Sequence, residues 1–230
     1  MNILVTGGAG FIGSHLIEKL LEERHAVVCL DNFNDYYNPN IKQRNIQAAL
    51  TSPDYSIVKV DILDESGLAA VFSQHHFDLI VHLAARAGVR PSIEQPLLYE
   101  RVNVQGTMNL LEQCRIHHIK KFIFASSSSV YGANEKVPFE ESDPVDSPIS
   151  PYAATKKAAE LICYTYHHLY NIKYVIAHKD TAVPARLKPI LEKGEGVIYL
   201  DPQALPSGIY PGSPRHPSIQ TRHPALNLKS

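Results

Sequence analysis

Five short apolar stretches divide the first 125 residues: 2–6, 26–30, 56–60, 78–83 and 121–125, all rich in Val, Ile, Leu and Phe. Runs this short, apolar on both faces, predict buried strands of a parallel sheet. Between them, residues 11–23, 65–74 and 100–118 repeat apolar positions at intervals of three and four, the spacing of one helix face. Such alternation predicts an α/β, Rossmann-like, doubly wound parallel sheet. A further helix is predicted over 152–169 and a sixth strand over 172–177. After about Val175 the pattern fails. Eight of the chain's 16 prolines fall between Pro184 and Pro224, leaving room for no three-turn helix except over 185–193, which Pro189 interrupts. Residues 196–200 read as one short strand at most. The sequence therefore predicts a domain over 1–177 and a Pro-rich, poorly ordered tail over 178–230.

Composition narrows the partners. At 230 residues and 44% hydrophobic, the chain can bury one substantial core, and a formal charge of -1 gives no case for nucleic acid or an anionic membrane. Cys29, Cys114 and Cys163 are odd in number and lie in apolar or helical surroundings, which predicts buried reduced thiols rather than disulfides or a zinc site. No apolar run reaches about 18 residues and no basic leader precedes residue 2, so a cytoplasmic protein is expected, neither exported nor membrane-inserted. The pairs His75-His76, His117-His118 and His167-His168 invite a metal reading. Neighbours on a helix point about 100° apart, however, so no metal site is predicted.

The chemistry-bearing residues fall at predicted strand ends. Thr6-Gly-Gly-Ala-Gly-Phe-Ile-Gly13 follows a strand and opens a helix, the setting that makes a glycine pattern informative. There Gly7 would allow the tight turn, Gly10 the approach of a pyrophosphate and Gly13 close helix packing. The helix N-terminus would offer N–H groups to phosphate. Asp31 closes the next strand, where its carboxylate could accept both ribose hydroxyls of an adenosine and repel a 2'-phosphate, favouring NAD over NADP. Asp61 could accept an adenine amino group, and the small Ala84 and Ala85 would let a cofactor lie across the sheet. Ser126-Ser-Ser-Ser129 ends the fifth strand with hydroxyls able to bind an alcohol. Tyr152 and Lys156, one helical turn apart, pair a weak acid with a cation that lowers its pKa and can hold a ribose.

These residues together resemble the extended short-chain dehydrogenase/reductase family, NAD-dependent epimerases and dehydratases, and within it the C4-epimerases of UDP-glucuronate or UDP-glucose. Asp31-Asn-Phe-Asn-Asp-Tyr-Tyr37, His82-Leu-Ala-Ala-Arg-Ala-Gly-Val-Arg-Pro-Ser92, Asn103-Val-Gln-Gly-Thr107 and Ser126 to Gly132 leading into Tyr152 carry the likeness, over residues 1–175. The resemblance implies NAD contacts at Phe11, Ile12, Asp31, Asp61, Ile62, Leu83, Asn103, Tyr152 and Lys156. It makes Ser127 the catalytic serine, with Ser128 as the near alternative. Tyr152, helped by Ser127, would take the proton of a sugar C4 hydroxyl while hydride passes to NAD and later returns to the other face of a 4-keto sugar. The related 4,6-dehydratases resemble one another in having acidic residues where this chain has Ser128 and Ser129, which ranks epimerase above dehydratase. Family members continue into an Arg-Phe-Phe-x-Val-Tyr-Gly-Pro-like segment, a seventh strand and a substrate domain. Here Val175-Ile-Ala-His-Lys-Asp-Thr-Ala-Val-Pro184 departs from that pattern, so the resemblance implies a truncated chain with the C-terminal substrate domain missing. A homodimer through helices 100–118 and 152–169 is also implied, as is a third outcome, a catalytically dead NAD-binding or dimerisation module.

Overall fold

A computed structural model describes residues 1–136, 139–140, 143–177 and the backbone of 196–198. Strands β1 (Asn2–Thr6), β2 (Ala26–Leu30), β3 (Tyr55–Val58), β4 (Leu79–His82), β5 (Lys121–Ala125), β6 (Lys173–Ala177) and β7 (Gly196–Ile198) form one sheet. Every pairing is parallel, in the order β3-β2-β1-β4-β5-β6-β7. The chain steps outward from β1 to β3 on one side, then returns to β4 and steps outward on the other. This reversal opens a crevice between β1 and β4 at their carboxyl ends, where such sheets bind ligands.

Two cores follow from the period-two alternation of strand side chains. Leu4, Ile80, Phe122 and Phe124 face one side and pack with Leu68, Phe72, Leu110 and Leu111. Ile3, Val5, Val81 and Ile123 face the other and pack with Leu16, Ile17 and Leu20. The helices that supply these partners are α1 (Phe11–Glu22), α3 (Glu65–Gln74) and α6 (Gly106–Ile116). Each fully buried Leu, Ile or Phe contributes about 1.5–3 kcal/mol of transfer free energy, so the sandwich of sheet between helices dominates the folding energy.

Three shorter helices were not evident from periodicity: α2 (Pro39–Asn45), α4 (Val89–Glu94) and α5 (Pro96–Glu100). The helix expected over 100–118 is broken in two by a π turn, Arg101–Gln105, which directs the buried Asn103 inward. Helix α7 (Pro151–Tyr170) begins with Ser150 accepting from the N–H of Ala153 at 3.1 Å, with Pro151 in its first turn. Asn171, in the left-handed conformation at φ 55°, ends it.

The short strand read over 196–200 is present as Gly196–Ile198, which pairs with β6, so β6 is not the edge of the sheet. The remainder of the predicted tail lies outside the described residues. Among the described residues, no helix is long and apolar enough to cross a membrane.

Candidate active site

The glycine turn is built by close backbone approach. Gly7 has φ +68°, a conformation L side chains rarely adopt, and its N–H donates to the Leu30 carbonyl at 2.8 Å. A Cβ on Gly7 would meet the backbone nitrogen of Ala84 at 2.8 Å. The loop after β4 therefore crosses directly over the turn after β1. A Cβ on Gly13 would lie 2.4 Å from the Gly7 carbonyl oxygen, which restricts the first turn of α1 to glycine there. Gly10 caps α1 without a side-chain hydrogen bond, and no acidic residue lies in the first turn of α1. Phe11 and Ile12 are 47% and 39% exposed beside it. A glycine-lined helix N-terminus, without capping carboxylate and flanked by exposed apolar side chains, fits a dinucleotide pyrophosphate.

At the end of β2, Asp31 is 4% exposed. Its Oδ1 accepts from Lys42 Nζ at 2.8 Å and from the Phe33 N–H at 2.9 Å, and its Oδ2 accepts from the Ala9 N–H at 3.2 Å. A carboxylate offers about four acceptor sites, so Asp31, with three taken, keeps capacity for a further hydrogen bond. Asp61 lies nearby and accepts from Asn32 Nδ2 at 2.7 Å. Ile62 is a core residue; its side chain abuts Gly106 and its carbonyl accepts from Asn109 Nδ2 at 3.0 Å.

Beneath the crevice a buried relay ties four segments together. Thr107 Oγ1 donates to the Asn103 carbonyl at 2.6 Å, so its contact with His82 Nε2 at 3.0 Å requires the imidazole to donate. The opposite nitrogen, Nδ1, then accepts from Thr6 Oγ1 at 2.7 Å, while Thr6 Oγ1 accepts from the Ala84 N–H at 3.2 Å. Burial, aided by the Lys156 cation, holds the imidazole neutral by pushing its pKa down to about 3. Asn103 is likewise engaged. Its Oδ1 accepts from the Arg86 N–H at 2.8 Å, and its Nδ2 donates to the Arg86 carbonyl and to Thr155 Oγ1, both at 3.1 Å. Asn103 thus braces the loop that contains Ala84 and Ala85 against α7. Leu83 joins that loop to β1 through its N–H on the Thr6 carbonyl at 3.1 Å.

The proton-transfer candidates gather at the end of β5. Ser127, nearly buried, opens a 3-10 turn over Ser128–Tyr131, and its Oγ accepts from the Ser129 N–H at 3.2 Å. Tyr152 stands in the first turn of α7, its ring edge-on to that of Tyr99 with centroids 6.2 Å apart. One turn on, Lys156 is buried; its Nζ donates to the Ala125 carbonyl at 2.9 Å and lies 4.8 Å from the centroid of the Phe124 ring. Burial pulls the ammonium pKa down to about 8, against the opposing charge of Glu160. The structure thus anchors the Tyr-x-x-x-Lys helix to the strand that ends in the serine turn.

A family model described as GDP-mannose 4,6 dehydratase matches residues 4–180. The chain belongs to the NAD-dependent epimerase/dehydratase family. This family member is 46% identical over 169 residues to UDP-glucuronate 4-epimerase of Thermodesulfobacterium geofontis, covering 74% of this chain and 52% of the relative. It is 47% identical over 173 residues to UDP-glucuronate 4-epimerase 1 of Arabidopsis thaliana, covering 75% and 40%. Among solved structures it is similar to the NAD complex of UDP-glucose 4-epimerase from Thermus thermophilus, with 37% identity and a TM-score of 0.69 over 77% of this chain and 54% of that one. UDP-glucuronic acid 4-epimerase of Bacillus cereus, in complex with UDP-glucuronic acid and NAD, gives 38% identity and a TM-score of 0.67 over 84% and 63%. The family member spans about half the length of the curated relatives it matches.

Several residues of this site were not singled out from the sequence. Lys42 sits on α2, whose start is marked by Asn38 accepting from the Asn40 N–H and by Pro39, a readable helix signal. Thr6, His82 and Thr107 interact across long sequence separations that no local pattern reveals. Glu160 follows Lys156 by four, a spacing that was open to inspection. Of the histidine pairs, His75, His76 and His117 line one cavity of about 590 Å³ near Phe72 and Phe77. That cavity lies by the amino end of β4, away from the crevice, and no three His, Cys, Asp or Glu among the described residues form a metal-holding group.

Proposed function

We propose that residues 1–177 bind NAD across the β1/β4 crevice and carry the proton-transfer groups of a nucleotide-sugar C4-epimerase of the UDP-glucuronate or UDP-glucose type. The supporting observation is the Lys156 to Ala125 hydrogen bond, which fixes the Tyr152 helix to the end of β5, two strands from the glycine turn. The helix N-terminus at Gly10 would hold the pyrophosphate, Asp31 the adenosine ribose, and Lys156 the nicotinamide ribose. Bound NAD would supply a hydride acceptor and donor for the sugar C4. Tyr152 removes the C4 hydroxyl proton and later returns it, with the Lys156 cation stabilising the phenolate and Ser127 sharing the proton. Removing water across C5 and C6 would need an acid and base that the hydroxyls of Ser128 and Ser129 do not supply, so epimerisation is preferred to 4,6-dehydration. The similarity to UDP-glucuronate 4-epimerases favours the same choice. Three buried thiols suit a cytoplasmic setting.

About half the length of the relatives is unmatched here, and we propose that turnover by the 230-residue chain is weak or absent although NAD binds. Calorimetric titration with NAD, followed by incubation with UDP-glucuronate and UDP-glucose, tests both parts. No heat up to millimolar NAD would overturn the binding assignment, whereas ordinary enzymatic turnover would overturn the impairment. A 4-keto-6-deoxy product would establish the dehydratase alternative.

A homodimer is a second element of the proposal. Leu161, Tyr164 and Leu169 on α7 and Met108 on α6 are large apolar side chains left exposed. A second copy placing the same helices against them would cover this surface. Sedimentation showing only monomer at high micromolar concentration would exclude it.

A further inference from the structure

Glu160 is 4% exposed and belongs to none of the groups assigned above to cofactor or proton transfer. A carboxylate in such surroundings needs partners, and two come from opposite sides. Ser126 Oγ donates to its Oε1, and Lys157 Nζ lies 3.3 Å from its Oε2. Ser126 is the first residue after β5 and the immediate neighbour of Ser127. Lys156 stands one helical turn before Glu160, on the same face of α7.

We propose that Glu160 is a positioning residue for this site: through Ser126 it sets the start of the serine turn, and through its charge it keeps buried Lys156 a cation. Among the described residues, the titratable groups facing Lys156 include Glu160 and Cys163 on its own helix and His82 from β4. Burial keeps the Cys163 thiol protonated and the His82 imidazole neutral, so neither balances the ammonium. Among the described residues, those facing Glu160 include Ser126, Lys156, Lys157, Cys163 and Tyr174 from β6. Among the described residues, Glu160 is thus a carboxylate placed to offset the desolvation of Lys156. An uncharged Lys156 would neither attract a phenolate at Tyr152 nor hold a ribose as firmly. One side chain thereby links the placement of the serine to the charge of the lysine. The meaning of that charge rests on the NAD reading above; the electrostatic link does not.

The test uses the apo 230-residue chain labelled at lysine 15Nζ and glutamate 13Cδ, with Lys156→Met to assign the signal. In the wild-type chain the Glu160 carboxylate is expected to be ionised at pH 7; a protonated Glu160 there would overturn the proposal even if no variant folds. Glu160→Gln keeps an acceptor for Ser126 but removes the charge, and the Lys156 amine should then titrate about one pH unit lower. Glu160→Asp should recover most of that shift. A Gln variant in which the amine titrates as in wild type refutes the charge role. For the serine, Ser126→Ala should move the Ser127 and Ser129 amide resonances in the wild-type background and leave them almost unmoved in Glu160→Ala; equal shifts in both refute that arm. NAD titrations at pH 6.5 and 8.5 add a functional readout, with affinity in Glu160→Gln falling about sixfold more between the two than in wild type, as a one-unit shift from a pKa of about 8 gives. If wild type binds no NAD at all, the cofactor reading fails while the lysine titration still decides the role of Glu160.

Discussion

His82 makes folding stability depend on pH in a window whose upper part carboxylates leave nearly clear. Its imidazole has an ordinary pKa of 6.5, lowered in the fold to about 3, chiefly by burial. Below pH 6.5 the unfolded chain takes up a proton that the folded chain refuses until about pH 3. The unfolded state then binds more protons, so stability is full above pH 6.5 and is lost as pH falls. Each pH unit inside the window costs about 1.4 kcal/mol, and the whole shift about 5 kcal/mol, on the scale of a domain's entire stability. Between pH 6.5 and 5, before most carboxylates titrate, the loss is about 2 kcal/mol. His82→Gln retains an N–H that can reach Thr107 but cannot titrate. It should cost stability at pH 7, where the Thr6 hydroxyl loses its acceptor, yet narrow its gap to wild type by about 2 kcal/mol at pH 5. Urea melts of both proteins across pH 5–8 measure this, and His25, also shifted downward, cancels in the difference. Parallel curves would refute the neutral, buried imidazole and with it the relay from Ala84 to Asn103.

Gly13→Ala places a Cβ 2.4 Å from the Gly7 carbonyl oxygen and 2.6 Å from Gly8 Cα. Overpacking of about 1–3 kcal/mol should exceed the ~1 kcal/mol gained in helix propensity, and an unchanged urea midpoint would contradict the close approach. Lys156→Met probes the opposite pH range. Unfolded lysine keeps its proton to about 10.5 and the folded one releases it near 8, so wild type should gain up to about 3 kcal/mol on the variant as pH rises between them. A pH-independent difference would argue against a buried ammonium. Asp31→Asn leaves Lys42 a buried cation without its carboxylate and should cost about 3–5 kcal/mol, with Lys42→Met restoring part of it. Additive costs in the double variant, read from melts, would mean that the pair is not coupled.

Where burial is two-sided and local, the sequence could be read closely. The expected bounds of β1, β2 and β5 coincide with the observed ones, and α3 does too, because an apolar run or stripe marks each of them. β3 begins a residue earlier and ends two earlier than expected, since Val60 extends the apolar run beyond the last pairing with β2. Helix α2 carries one large apolar residue, Ile41, and showed no stripe to detect. Pro91 and Pro96 both sit where a first turn tolerates them. The π turn at Arg101–Gln105 follows no residue pattern; it accompanies the three hydrogen bonds of Asn103, made to Arg86 and Thr155. In the same way Asp31, Tyr152 and Lys156 could be picked out, while Lys42 and Ala125, the partners of Asp31 and Lys156, required the fold.

The central position of β1 also has a kinetic consequence. It is the pivot of the sheet, yet its partner on one side, β4, lies 76 positions later in the chain. A ribosome adding 5–20 residues per second would take roughly 4–15 s to cover that distance. Throughout that interval the backbone of Ile3 to Thr6 can pair with β2 alone, and its other side stays open to any strand it meets. Such an open edge invites pairing with another chain. Faster or slower translation between residues 30 and 79 should therefore change the soluble yield of this protein without altering a single contact in its folded state.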